Sequence, residues 1–242
     1  MAQPTRPLKQ QPTRRPIGPA KPRVPNLLMR VWDAPTRLFH WAVVGLIALS
    51  YASAQLEWTQ LHFLSGYAML TLLLFRLAWG VVGSETSRFR QFLRSPLAGV
   101  RHLLQFAGPR TPDTEMGHNA AGGWMILILL AILLFQVGTG LFAGYDKGPL
   151  GPLGYHLSIA GGIWAASAHE TSFLVIVGLS ALHILVIGAY AVIKRHNLIW
   201  PMITGKKRLP ATMRQPRFAS SWLASGILGG SAALVWALVR FG

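Results

Sequence analysis

Cysteine is absent from this 242-residue chain, and acidic side chains are scarce, with seven Asp and Glu set against 23 Lys and Arg. Without cysteine there are no disulfides, no thiolate zinc or iron-sulfur sites and no thioether-attached haem. Any redox centre must therefore be held by other side chains, without a covalent bond. Charge of either sign is thin: 12% of residues are charged and 52% hydrophobic, with a mean hydropathy of +0.39. Such a surface needs a solvent other than water. A net charge of +16 would fit a nucleic-acid binder if it coated one face. Here the basic residues flank apolar runs, which points to a membrane lipid environment and not to nucleic acid.

Five apolar runs stand out, at residues 39–56, 62–82, 123–142, 171–193 and 222–239. Each is close to the ~20 residues that carry a helix across a bilayer. The expected fold is all-α: a polytopic membrane protein with a four-helix transmembrane bundle and a fifth, C-terminal transmembrane helix. Basic residues sort by segment, with eight in residues 1–38, five in 83–122 and seven in 194–221, while Lys147 and Arg240 are the only ones in the alternate segments. The positive-inside rule then puts the N-terminus in the cytoplasm and the C-terminus on the outer side. Residues 1–30 read as a disordered, basic, Pro-rich tail, 31–208 as the four-helix core, and 209–242 as a linker and the fifth helix. Between the second and third spans, Arg88 to Phe106 interleaves Leu and Phe with Arg, as an amphipathic stretch on the inner membrane surface broken at Pro96 would.

Four of the eight histidines lie in or at the ends of spans: His40, His62, His169 and His183. Ionisable groups are expensive there and point to function. His169 and His183 are two heptads apart, so they share a helix face about 21 Å apart along the axis. His62 opens the second span at the level of His169, and His40 opens the first in the half where His183 lies. Two pairs result, His62 with His169 on the outer side and His40 with His183 on the inner side. Facing imidazoles of this kind can supply both axial ligands of a haem iron. Gly66, Gly178 and Ala181 beside them leave room for a flat macrocycle. The plainer alternative is that each histidine hydrogen-bonds across helices. Arg76, mid-span and 14 residues after His62, reaches the depth of the inner pair and would pair with a haem propionate or else snorkel to the inner surface.

The remaining histidines are weaker signals. His118, in Gly117-His118-Asn119, would serve proton exchange beside a quinone, with helix entry or head-group contact as the plainer reading. His102 and His196 read as solvated, and His156 sits in a Gly-rich outer loop that could dock a partner. Gln136 and Thr139 read as helix-to-helix hydrogen bonds. In the fifth span, Gly226 and Gly230 have the spacing of close helix approach, so this helix is expected to pack on another subunit, making an oligomer, or on the four-helix core.

The ordered set Val31-Trp32-Asp33, Arg37-Leu38-Phe39-His40-Trp41, His62-Phe63-Leu64-Ser65-Gly66-Tyr67, Arg76-Leu77-Ala78-Trp79-Gly80, Gly117-His118-Asn119, Gly122-Gly123-Trp124-Met125, His169-Glu170, His183 and Met202 to Arg208 resembles the bacterial cytochrome b561 and nickel-iron hydrogenase b-type cytochrome family. The resemblance implies a four-helix core with two non-covalent b haems, with His40, His62, His169 and His183 at the family's ligand positions. It also implies electron transfer between the quinone pool and a partner redox protein, such as a c-type cytochrome or a hydrogenase-like protein. The chain is then an electron-transfer subunit rather than a stand-alone oxidoreductase, although one branch resembles quinone-reducing superoxide oxidases. Ala120 departs from the proline that often follows Gly-His-Asn, and the fifth span is an addition. The competing readings are a divalent-metal transporter, disfavoured because the histidines bunch at two depths, and a cofactor-free membrane anchor.

Overall fold

The computed structural model of the protein describes residues 25–109, 113–144 and 148–242. Among the described residues, five helices are long and apolar enough to cross a membrane. The first is α1 (Ala34–Gln55), whose N-terminus is capped by Asp33 through the Thr36 amide (2.7 Å). A three-residue reversal through Glu57, at φ 57°, sends the chain back as α2 (Thr59–Val82). Two short helices follow, α3 (Phe89–Phe92) and α4 (Pro96–Leu104). The expected amphipathic stretch is thus two helices, with Pro96 in the first turn of the second, where its missing N–H costs nothing. Leu97, Val100, Leu103 and Leu104 remain exposed on α4.

α5 (Ala120–Phe142) opens on an Asn119 cap that accepts from the Gly122 amide (2.7 Å). α6 (Ile159–Ala189) opens on Ser158 and runs into a π turn at Tyr190–Lys194. It begins twelve residues before the expected Thr171. The added stretch is rich in Ala and Gly, so its hydropathy is low, but Ala is the best helix former and Ser158 supplies the cap. At 1.5 Å per residue its 31 residues span about 46 Å, well beyond a ~30 Å hydrocarbon layer. His169 therefore sits ten residues inside this helix and not at its end.

The chain continues through α7 (Ile199–Thr204) and closes with α8 (Ser221–Phe241). α2 is the hub, packing on α1, α5 and α8, while α5 lies along α6. Met69, Leu70 and Leu73 of α2 meet Leu130, Leu133 and Val137 of α5 in the core, joined by Val43, Ile176 and Val235. α6 makes few close contacts with α1 or α2, so the helices on either side of that seam meet through side chains, as where Tyr51 stacks on Phe173 at 5.2 Å.

One end of the bundle carries the basic connecting segments and is called here the basic end. It is closed by an antiparallel pair, β1 (Asn26–Arg30) with β2 (Lys206–Pro210), in which Leu28 pairs with Arg208. Residues 26–30, expected to belong to a disordered tail, thus form a strand, and the rest of that expectation falls on residues 1–24, which lie outside the described residues. Gly205, at φ +78°, makes the turn into β2, and its carbonyl accepts from the Val31 and Trp32 amides. Asp33 ties this cap to the bundle: its Oδ2 accepts from Trp79 Nε1 (3.1 Å) and from Ser87 Oγ (3.3 Å), and it is only 2% exposed.

α8 packs on the four-helix core through Ala224 beside Phe75 and Trp79, and through Val235. Its entry is held by Glu85, whose carboxylate accepts from the Arg217 amide (2.9 Å) and pairs with Arg214. That amide, with Arg214 beside it, holds the Glu85 carboxyl below the usual carboxylate range. Gly226 and Gly230 face away from these contacts, and a Cβ at either would meet nothing within 4 Å.

Replacing Asp33 removes a helix cap and strands two buried donors, a loss of about 2 to 4 kcal/mol. Asp33→Ala should lower the thermal midpoint of the detergent-solubilised protein clearly, and Asp33→Asn, which keeps the cap, should lower it less. Equal midpoints for wild type and Asp33→Ala would contradict the role given to this carboxylate.

Candidate functional site

The two expected histidine pairs are brought together. His62 of α2 and His169 of α6 have ring centres 6.0 Å apart at the far end of the bundle. His40 of α1 and His183 of α6 are 6.5 Å apart toward the basic end. Two imidazoles binding one metal from opposite sides, through bonds of about 2 Å, put their ring centres about 6 Å apart. Both spacings fit that requirement. Among the described residues no group of three or more His, Cys, Asp or Glu could hold a metal ion. A metal at either pair must accordingly bring most of its own donors, as a porphyrin iron does.

At the far end the rings are oriented by neighbours. His62 Nδ1 lies 3.0 Å from the Ser50 carbonyl, which fixes that nitrogen as the donor and leaves Nε2 for a ligand. Ser50 Oγ bonds Ser65 Oγ (2.6 Å), and Ser65 bonds the His62 carbonyl (2.8 Å), so the turn that carries His62 is held to α1. His169 Nδ1 lies 2.7 Å from the Gln136 carbonyl of α5. The Gln136 amide nitrogen also sits 3.1 Å from His169 Nε2, a contact that would have to open were that nitrogen to hold a metal; Ser172 donates to the amide oxygen. Gly140, one turn further along α5, lets the ring approach, since a Cβ there would lie 2.7 Å from His169 Cε1.

Gln136 is thus a positioning residue beyond simple helix pairing. Thr139 bonds only carbonyls of its own helix, those of Phe135 and Gln136. The Gln136 side chain makes the expected helix-to-helix bonds, to His169 and Ser172 of α6, whereas Ser50 carried no signal in the sequence because it acts on His62 through a backbone carbonyl that any residue owns. Gly66 and Gly178 stand beside open space, with nothing within 4 Å of an added Cβ, as do glycines far from either pair such as Gly226 and Gly230.

Toward the basic end Arg76 is 3% exposed, so it does not snorkel to a surface. Its guanidinium stacks over Phe89 at 4.9 Å, and Nη1 has no hydrogen-bond partner. No ion pair joins it to Asp33, whose oxygens are taken by Thr36, Trp79 and Ser87. A buried cation with a free donor asks for an anionic partner. His40 Nδ1 is likewise buried and without a partner. These orphaned atoms, and the two ring spacings, fit a haem with carboxylate side chains.

The outlying histidines differ from expectation. His102, expected to be solvated, bonds the Tyr190 hydroxyl (2.7 Å), which also accepts from Asn119 Nδ2 (3.1 Å). His196 faces Asp113 at 3.9 Å. His156 and Tyr155 bond the Gly242 carbonyl, and the loop before them folds back on α5 with Leu153 buried. His118 is held between Trp32 (4.5 Å) and Phe92 (5.0 Å). Burial, reinforced by Arg76, pushes its pKa down to about 3, so the ring is neutral at ordinary pH. A cavity of about 150 Å³ opens beside it, bordered by Thr86, Phe92, Arg94 and Glu115.

A model of the prokaryotic cytochrome b561 family matches residues 31–205. No curated protein matches the chain.

Gly140→Val forces a side chain into the space of the His169 ring, an overpacking cost of about 1–3 kcal/mol. If each pair holds one haem, the variant should lose that of the far-end pair only, seen as roughly half the haem per chain by pyridine haemochromogen assay. Full haem content would show that the close approach of Gly140 is dispensable.

Proposed function

Since the chain belongs to the prokaryotic cytochrome b561 family, a family of membrane b-type cytochromes in electron transfer, we propose that it carries two b haems stacked through the bilayer and relays electrons between a quinone and a partner redox protein. One observation carries this reading: α6 presents His169 and His183 to two separate imidazole partners at spacings suited to a bis-histidine iron, about 21 Å apart along one helix. When bound, haem supplies one-electron chemistry at each pair.

The chain's own residues do the rest. His62 and His169 are held in one tautomer by the Ser50 and Gln136 carbonyls, which raises their basicity as ligands. Arg76 places a fixed positive charge at the His40–His183 site and favours a propionate there. Leu73, Leu133 and Ile176 exclude water between the two sites. The concentration of Lys and Arg at the basic end supports its placement in the bacterial cytoplasm, with the far end in the periplasm. The cavity beside His118 offers a hollow at the cytoplasmic face for a quinone or quinol. A redox protein, periplasmic or membrane-bound, then meets the far-end site. The residue 31–208 core binds the cofactors, and α8 packs against it. A pathway for bare divalent ions is opposed by the grouping of the histidines in twos.

The purified protein should show reducible low-spin haem b at two per chain, and a colourless protein would defeat the proposal. His183→Ala should remove the basic-end haem and leave one b-type component in a redox titration, because the two pairs share no ligand. Concerted loss of both haems from a folded variant would refute independent sites. Arg76→Leu should retain both haems and lower the basic-end potential, since a positive charge that favours the reduced centre is gone.

A further inference from the structure

Three buried side-chain polar atoms of the described residues have no hydrogen-bond partner: His40 Nδ1, Arg76 Nη1 and His118 Nδ1. They come from three separate parts of the chain, α1, α2 and the turn before α5, yet they converge. Arg76 lies over the Phe89 ring (4.9 Å), Phe89 packs on Phe92 (5.9 Å) and Phe92 flanks His118 (5.0 Å), and Arg76 and His40 both bear on His118 electrostatically. A buried donor left unpaired is costly, and three in one place imply a common partner rather than three independent defects. His40 belongs to the basic-end pair and Arg76 to its charge balance, which leaves His118 without an assigned role.

His118 is also fixed in place. Trp32 and Phe92 flank the ring, and the adjacent Asn119 is anchored as the α5 cap and by the Tyr190 hydroxyl. With the turn and the ring both held, the imidazole cannot turn freely to reach another acceptor. A neutral imidazole has one N–H to give, and a carboxylate is the acceptor that Arg76 beside it also requires.

We propose that His118 is a second anchor for the basic-end haem, donating Nδ1–H to a propionate while Arg76 meets the propionate charge. The inference rests on the two-haem reading above and adds a residue on the turn before α5, an element that contributes no axial ligand. It also makes His118 a wall between the haem carboxylates and the 150 Å³ cavity, so that groups entering the cavity would meet the far side of the same ring.

The test uses the full chain in lipid nanodiscs, with wild type, His118→Leu and His118→Asn compared by haem content and by redox titration across pH. His118→Leu should lower the midpoint of the basic-end component and make it more pH-dependent, because a propionate deprived of its donor binds a proton more readily. The far-end component should not move. His118→Asn, which keeps an N–H donor, should recover part of the shift. Protein loaded with haem whose propionates are esterified should show no difference between wild type and His118→Leu. Unchanged midpoints in His118→Leu at full haem content, or a difference that survives esterification, would overturn the role of His118 and leave the two-haem reading intact. Wild type without a second haem would overturn that reading itself, and His118 with it.

Discussion

A carboxylate buried at the start of α1 sets the geometry on which the rest depends. Asp33 ends β1's approach, caps the helix that carries His40, and accepts from Trp79 on the helix that carries Arg76. Ser87, its third donor, stands at the turn leading to Phe89, the ring beneath the Arg76 guanidinium. With both its oxygens engaged, Asp33 balances nearby charge at a distance without closing an ion pair. Arg76 is thereby left with a donor to spare. Had Asp33 paired directly with Arg76, the basic-end site would have no free cation to offer an anionic cofactor.

The two ends of the bundle are built on different principles. At the far end the rings are set by backbone carbonyls and hydroxyls, a neutral network that fixes orientation. At the basic end the polar atoms are unpaired and one of them is a full charge. Two sites of like ligation thus have unlike electrostatic surroundings, and charge near a haem is a principal control of its potential. For the two haems proposed above, the same pair of imidazoles would thus be set in two different electrostatic environments.

Much of this was legible in the sequence. His40, His62, His169 and His183 could be paired because helix rise converts residue number into depth, and Arg76 could be placed by the same arithmetic. The start of α6 was not, since Ala and Gly between residues 160 and 168 lower the hydropathy while favouring a capped helix. Asn26–Arg30 looked like tail because five residues carry too little pattern to reveal a strand whose partner lies some 180 residues away. Gln136 and His118 stood out in the sequence, but what each bonds or faces depends on what packs beside it, and Ser50, which acts through its carbonyl, left no local pattern at all.

α6 passes both sites as a single uninterrupted helix, and this makes it a ruler. The gap between His169 and His183 is set by residue count alone, with no loop between them to absorb a change. One residue inserted there would turn everything beyond it by about 100° and aim one imidazole away from its partner. A heptad would nearly restore the facing but lengthen the gap by about 10 Å, so one imidazole would no longer lie level with its partner on the facing helix. The segment between the two histidines should therefore admit substitutions freely and length changes hardly at all.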